Sequence, residues 1–187
     1  MRTLVASLAL FGGILLGAPG PARADGCTVL LCLAGNWRNI SQCVPPVRQA
    51  LRDLARGRGF PSCGMGGGSA AAGTGAGNRA VTIDECPGPY LIEESFDGTF
   101  QRYLCTLSGV VEVTVQGQLW TRTYWTGGGD SITEYMPAAK AQLGEGNYDR
   151  AFDDLMASWR GTAEFERWNC RINSVCPPPP PETGGGG

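Results

Sequence analysis

The spacing of hydrophobic residues changes from helical to β near the middle of the chain. Residues 28–34 form a compact apolar run that stops at a glycine, which predicts a short helix. Pro45-Pro46 opens a second helix, because proline is tolerated in a first helical turn, and Gly57 ends it. Its apolar face is formed at helical spacing by Val47, Ala50, Leu51 and Leu54. Residues 25–63 are therefore predicted to be an antiparallel helical hairpin.

Alternating apolar and polar residues predict a small sheet after residue 90. The strand candidates are Tyr90–Glu94, Phe100–Thr106, Val110–Val115 and Gln118–Trp125. Turns are expected at Asp97-Gly98, Ser108-Gly109 and Gln116-Gly117. Val111, Val113 and Val115 alternate with Glu112 and Thr114, which indicates one buried and one exposed face. Short consecutive turns predict an antiparallel meander of three or four strands.

The rest of the chain divides into a linker, C-terminal helices and a tail. Residues 64–79 are rich in glycine and alanine and predict a linker without packed structure. Helices are expected over 137–143 and from about Asn147 to Arg160, with Phe165 and Trp168 continuing the packing. The Pro/Gly-rich tail, 177–187, is expected to be solvated. We predict an α+β fold: a disulfide-stapled N-terminal helical hairpin, then a small antiparallel β-meander and C-terminal helices within 80–176.

The first 24 residues have the pattern of a signal peptide. Arg2 is followed by an apolar stretch over residues 4–16, and Ala22-Arg23-Ala24 supplies the small residues of a cleavage site. The apolar stretch is short for a membrane span, which needs about 20 residues. We therefore expect cleavage after Ala24 and no transmembrane span in the mature form.

Eight cysteines follow the leader, and none lies within it. An even number in an exported chain predicts a disulfide framework formed in an oxidising compartment. The predicted pairs are Cys32–Cys43 and Cys27–Cys63 at the two ends of the hairpin, Cys86–Cys105 and Cys170–Cys176. Many other connectivities stay open on spacing alone. Lipidation of Cys27 is disfavoured, because Asp25 fits a lipobox poorly and seven cysteines would remain.

The charge is uneven along the expected mature chain. Loss of Arg2 and Arg23 leaves 13 basic and 17 acidic residues, a net charge of −4. Residues 38–79 carry a net +5, and residues 80–187 carry a net −8. This overall acidity argues against a dedicated nucleic-acid binder, so no nucleic acid is expected as a partner.

The residue types exclude several common kinds of catalytic site. The chain has no histidine, so the usual Ser-His-Asp and Cys-His arrangements are excluded. It has no C-x-x-C pair, which removes support for thioredoxin-type exchange and zinc ribbons. Glu93-Glu94 would point to opposite faces of a strand, and Asp149 with Asp153 fits a solvated helix face better than a glycosidase-like pair. We expect no catalytic residue, no metal and no cofactor.

Two groups of side chains are candidates for a partner surface. Arg48, Arg52 and Arg56 form a basic stripe on the second helix, which is either a solvated face or a docking surface for an acidic partner, lipid head groups or single-stranded DNA included. Trp120, Arg122 and Tyr124 share one side of the last predicted strand. They either pack in the core or form a binding platform.

The N-terminal module resembles the TrbM/KikA family of conjugal transfer proteins. The resemblance is carried by Cys27-Thr28-Val29-Leu30-Leu31-Cys32-Leu33-Ala34-Gly35, then Cys43, Pro46 and the amphipathic helix before Cys63. It implies an exported accessory protein of a plasmid-borne conjugative type IV secretion system, with no known catalytic residues. It also implies protein components of that apparatus as partners.

We therefore expect a non-enzymatic protein, periplasmic or secreted, that acts through protein–protein contacts. Because some members of this family are associated with host killing, the alternative is an exported toxin that acts on the cell envelope.

Overall fold

The computed structural model describes residues 25–63, 73–174 and 176, and these form an α+β fold, as the sequence predicts. The helices are α1 (Gly26–Ala34), α2 (Val44–Ala55), α3 (Pro137–Leu143), α4 (Ala151–Trp159) and α5 (Ala163–Asn173). The strands are β1 (Gly75–Arg79), β2 (Leu91–Phe96), β3 (Thr99–Cys105), β4 (Leu107–Val115), β5 (Gln118–Thr126) and β6 (Ser131–Tyr135). Within this described part, no helix is long and apolar enough to cross a membrane.

An antiparallel sheet in the order β1–β4–β5–β6 lies at the centre of the fold. One face packs on α1 and α2 through Val111, Val113 and Trp125. The other face packs on α4 through Val110, Tyr124, Ile132 and Phe152. The expected exposed face is thus partly covered, and the N-terminal hairpin shares its core with the sheet.

The end of the expected linker is part of this sheet. Residues 75–79 form β1, which pairs antiparallel with β4, so that Gly77 lies opposite Glu112 and Asn78 opposite Val111. Small residues give no apolar alternation, yet their backbone groups can still complete the ladder of β4. The prediction of an unpacked linker is therefore wrong for 75–79, and residues 64–72 lie outside the described part.

The expected meander is divided between two sheets. Strands β2 and β3 pair only with each other in the described part, as a hairpin that turns at Asp97-Gly98. The expected turn at Ser108-Gly109 instead lies within β4, where Ser108 is the extra residue of a β-bulge opposite β5. Strand β6 was not predicted and extends the central sheet beyond β5.

Four disulfides hold these elements together, and they join the four pairs given above. Cys27–Cys63 and Cys32–Cys43 close the α1–α2 hairpin, Cys86–Cys105 ties the segment before β2 to β3, and Cys170–Cys176 closes a loop after α5. All eight cysteines are paired. Such a framework forms in an oxidising compartment, which makes this an extracellular or periplasmic protein.

The C-terminal helices begin differently from the sequence prediction. Helix α3 covers 137–143 as expected, whereas α4 begins at Ala151 rather than near Asn147. The side chain of Asp149 accepts a hydrogen bond from the Ala151 amide at 3.0 Å, so this residue precedes the helix instead of lying on its face.

Candidate functional site: a basic cleft beside α2

Helix α2 is strongly amphipathic. Its apolar face is almost completely buried against α1 and the sheet and comprises Val47, Ala50, Leu51 and Leu54. The opposite face exposes Arg48, Arg52 and Arg56, which recur every fourth residue and therefore lie on one side. The sequence-predicted basic stripe is thus exposed, as its spacing requires.

Two of these arginines line a cleft of about 300 Å³. Arg48 and Arg52 form one wall, and the other wall is the loop between β5 and β6, residues 127–130. A Cβ added at Gly129, whose φ is +88°, would lie 3.4 Å from Cγ of Arg52, so the loop lies directly against that arginine stem. We refer to this feature as the basic cleft.

Arg38 fixes the floor of the basic cleft. Its guanidinium stacks on the ring of the buried Trp37 at 4.4 Å and pairs with Asp149 at 3.2 Å. The same side chain donates to the carbonyl oxygen and, at 3.1 Å, to the hydroxyl of Ser131. Arg38 therefore binds Asp149 and Ser131 and holds the turn after α1 against β6.

Arg56 does not line the basic cleft. It lies 3.8 Å from Asp53, whose carboxylate also receives Arg58 at 3.0 Å and Gln49 at 3.1 Å. The three-residue stripe therefore contributes two side chains, Arg48 and Arg52, to one concave site.

The expected aromatic platform is not a single surface. A β-bulge opposite Thr114 inserts an extra residue in β5 and moves Trp120 to the face that packs on α1. There its indole Nε1 donates to the carbonyl oxygen of Ala34 at 2.9 Å. Trp120 is therefore separated from Arg122 and Tyr124, which lie on the α4 side.

Arg122 and Tyr124 each bind other side chains of the fold. Arg122 pairs with Glu112 at 2.9 Å. Tyr124 is 3% exposed, stacks against Phe152 and donates to Glu134 at 3.0 Å. Burial, with the nearby Glu134 carboxylate, raises the pKa of Tyr124 well above its ordinary value. Tyr124 therefore belongs to the core, whereas Arg122 stays partly exposed in its ion pair, and the two do not form one platform with Trp120.

The carboxylates weighed as catalytic pairs are each engaged by a basic residue. Glu93 pairs with Arg171 at 2.8 Å, Glu94 pairs with Arg102, and Asp153 pairs with Lys140 at 2.7 Å. In the described ranges, no three or more His, Cys, Asp or Glu side chains are grouped so that they could hold a metal ion.

The site has components that the sequence analysis missed. Arg38 lies in the connection between α1 and α2 and Asp130 lies far along the chain, and the fold brings both to the basic cleft. The run Gly127–Gly129 between two β patterns is the signal that could have placed a tight loop there.

The basic cleft can recognise an anion. Arg48 and Arg52 present guanidinium groups, which match a carboxylate or phosphate with paired hydrogen bonds. Asp130 adds one negative charge at the edge of the cleft and disfavours a highly charged anion.

No protein-family model matches the chain, and neither the curated proteins nor the solved structures include a significant match.

Proposed function

We propose that this protein is an exported binding protein that docks an acidic segment of a partner protein in the basic cleft. The observation that carries the proposal is the position of Arg48 and Arg52, two exposed guanidinium groups on one wall of a concave site. Side-chain carboxylates of a partner are the anions that fit two arginines and one opposing aspartate.

The cleft is preorganised, which lowers the entropy cost of binding. The disulfide from Cys32 meets α2 at Cys43, the residue that precedes its first turn. Arg38 fixes the opposite side through Asp149 and Ser131. Both walls therefore belong to one core rather than to separate moving parts.

A protein partner fits the charge distribution better than a nucleic acid does. The mature chain carries a net charge of −4, and the acidic residues lie mainly after residue 80. Long-range repulsion would oppose an extended polyanion, whereas a short acidic segment would meet only the local arginines.

The resemblance of residues 25–63 to the TrbM/KikA family supplies the pathway. We propose that the chain is exported by a signal peptide cleaved after Ala24. It then serves as a non-enzymatic accessory of plasmid conjugation, bound to a component of the type IV secretion apparatus. Asp25, the first mature residue in this proposal, accepts hydrogen bonds from the amides of Cys27 and Thr28 and so caps α1.

The test is affinity capture of identified secretion-system components by the purified mature protein, from envelopes of cells that carry a conjugative plasmid. We expect wild type to recover a component, and Arg48→Glu/Arg52→Glu to lose it. Arg150→Glu is the matched control, because it reverses an exposed arginine at the start of α4, outside the cleft. Recovery that is equal in all three proteins would refute the role of the cleft.

A second outcome would contradict the conjugation assignment itself. If wild type recovers no secretion component and export of the protein alone stops the growth of a plasmid-free host, the protein is an envelope toxin. A transfer assay with the gene deleted separates these cases, since an accessory protein is needed for plasmid transfer and a toxin is not.

A further inference from the structure

A second cleft, of about 260 Å³, lies between the β2–β3 hairpin and the α4–α5 helices. Its apolar walls are formed by the aromatic side chains of Tyr103, Trp159 and Trp168, with Leu91 and Ile92 beside them. Its rim is charged and is formed by Glu93, Glu164 and Arg167. We refer to it as the tryptophan cleft.

Packing fixes the aromatic walls. The ring of Trp159 meets Phe165 edge-on at 5.0 Å and Trp168 at 5.3 Å, and Gly88 lies against it on another side. Tyr103 is 8% exposed and donates its hydroxyl to Glu93 at 3.4 Å. The tryptophan cleft is therefore formed before anything enters it.

Rigid aromatic grooves bind proline-rich segments. A proline run already favours the extended polyproline II conformation, so it loses little entropy on docking, and its rings pack on aromatic faces. This chain carries such a run in residues 177–181, five consecutive prolines.

The fold brings the start of this run close to the tryptophan cleft. Cys176, directly before it, is bonded to Cys170, with their Cα atoms 4.1 Å apart. Cys170 follows Arg167 by three residues in α5, and such residues are neighbours on a helix surface. The chain therefore leaves the described region beside a residue of the cleft rim.

We propose that Pro177–Pro181 of this same chain occupies the tryptophan cleft. The helix from Cys170 back to Glu164 is about 9 Å long at ~1.5 Å per residue, and five prolines extend about 15 Å at ~3.1 Å each. The run is thus long enough to follow the cleft. Composition alone favours a solvated tail, and the adjacent aromatic walls change that expectation.

The proline run is covalently attached close to the tryptophan cleft, so a weak intrinsic affinity is sufficient for it to occupy the cleft. A short connection gives the segment an effective concentration of about 1 mM or more at the cleft. The same segment added as a separate peptide must therefore be supplied at millimolar concentration to fill an empty cleft.

The test compares the mature chain with a chain that ends at Cys176, by NMR of protein labelled at the tryptophan indole nitrogens. Trp159→Phe and Trp168→Phe assign the two resonances. We expect both to shift on truncation, while those of Trp37, Trp120 and Trp125 stay unchanged as internal controls. A peptide of residues 177–187, at millimolar concentration, should return them to their full-length positions. Superimposable spectra of the two chains would overturn the proposal.

A full-length variant in which the five prolines become glycine and serine separates proline recognition from chain length. Its Trp159 and Trp168 resonances should match those of the truncated chain, and a match to the full-length chain would contradict recognition of proline. Shifts that depend on protein concentration would also overturn the proposal, because they would show that the run binds a second copy.

Discussion

The indole nitrogen of Trp120 donates a hydrogen bond to the carbonyl oxygen of Ala34 at 2.9 Å, which fastens β5 to the end of α1. The carbonyl oxygens of the two neighbouring residues also accept hydrogen bonds from side chains of the sheet. Thr121 Oγ1 donates to that of Leu33 at 2.8 Å, and the Tyr135 hydroxyl to that of Gly35 at 2.9 Å. The last carbonyl groups of a helix have no hydrogen-bond donor within the helix, so side chains of the sheet supply the donors here.

Thr121→Val should destabilise the fold by about 1–3 kcal/mol, since it keeps the shape of the side chain but leaves the Leu33 carbonyl without its donor. Thr121 is 0% exposed, so water cannot replace the lost hydroxyl. Urea unfolding with the disulfides intact, followed by circular dichroism, measures the change.

Thr99→Val is the control for this prediction, because it makes the same substitution at the exposed start of β3. Its free energy of unfolding should stay within about 0.5 kcal/mol of wild type. Equal unfolding midpoints for the two variants would show that the bond to Leu33 does not stabilise α1.

Local signals in the sequence were sufficient for the helices of the N-terminal module. The spacing of Val47, Ala50, Leu51 and Leu54 defined the buried face of α2, and antiparallel helices brought Cys32 near Cys43. Both conclusions depend on residues close together in the chain, where helix geometry fixes direction.

The pairing of strands that lie far apart in the sequence could not be predicted from such local signals. The glycine-rich β1 pairs with β4 more than 30 residues later, and its sequence has no apolar alternation that indicates a strand. The bulge that turns Trp120 toward α1 reverses the alternation on which the aromatic platform was based. The basic cleft needed both α2 and a loop near residue 129, so its sequence prediction was limited to the two arginines of α2.

Glu112 should make stability depend on acidic pH. It receives Arg79 at 3.0 Å and Arg122 at 2.9 Å. Burial by itself raises the pKa of Glu112, but these two partners outweigh it, and the pKa lies below the ordinary value of 4.5. As pH falls, Glu112 is therefore protonated in the unfolded chain before it is protonated in the folded protein. The stabilisation that ionised Glu112 provides is complete above pH 4.5 and is lost as pH falls below it, through the folded-state pKa.

Glu112→Gln should consequently lower the free energy of unfolding most at neutral pH. The difference in this free energy between the variant and wild type should shrink as pH falls through the folded-state pKa of Glu112. Urea unfolding across this range measures the difference. Glu145→Gln, in an exposed loop, controls for loss of a charge. A difference between Glu112→Gln and wild type that does not vary with pH would contradict the linkage.

The four disulfides should differ in their resistance to reduction. Cys32 and Cys43 are 5% and 8% exposed, whereas Cys176 is exposed at the end of the described chain. Under mild reductant, alkylation followed by mass spectrometry should label Cys170 and Cys176 first. Labelling of Cys32 before Cys176 would contradict this order.

Removal of Cys32–Cys43 by a double serine substitution should lower the free energy of unfolding by about 2–4 kcal/mol.

Gly88→Ala should loosen the contact between the segment before β2 and the C-terminal helices. A Cβ on Gly88 would overlap the indole ring of Trp159, which packs on Phe165 and Trp168, so the ring would have to shift and disturb both contacts. Overpacking of this kind costs about 1–3 kcal/mol, so the urea midpoint should fall. The near-ultraviolet circular dichroism should also change, because the three rings are displaced together.

The same substitution at Gly59 separates this overlap from the general effect of replacing glycine. No heavy atom lies within 4 Å of a Cβ built there, so Gly59→Ala should leave the aromatic spectrum unchanged. Restricting the unfolded chain should make that variant equal to wild type or slightly more stable. Since both changes add one methyl group to a glycine, a fall in stability at Gly88 alone would locate the cost at Trp159. Equal stability of the two variants would show that the ring yields without cost and that the tryptophan cleft is not rigid.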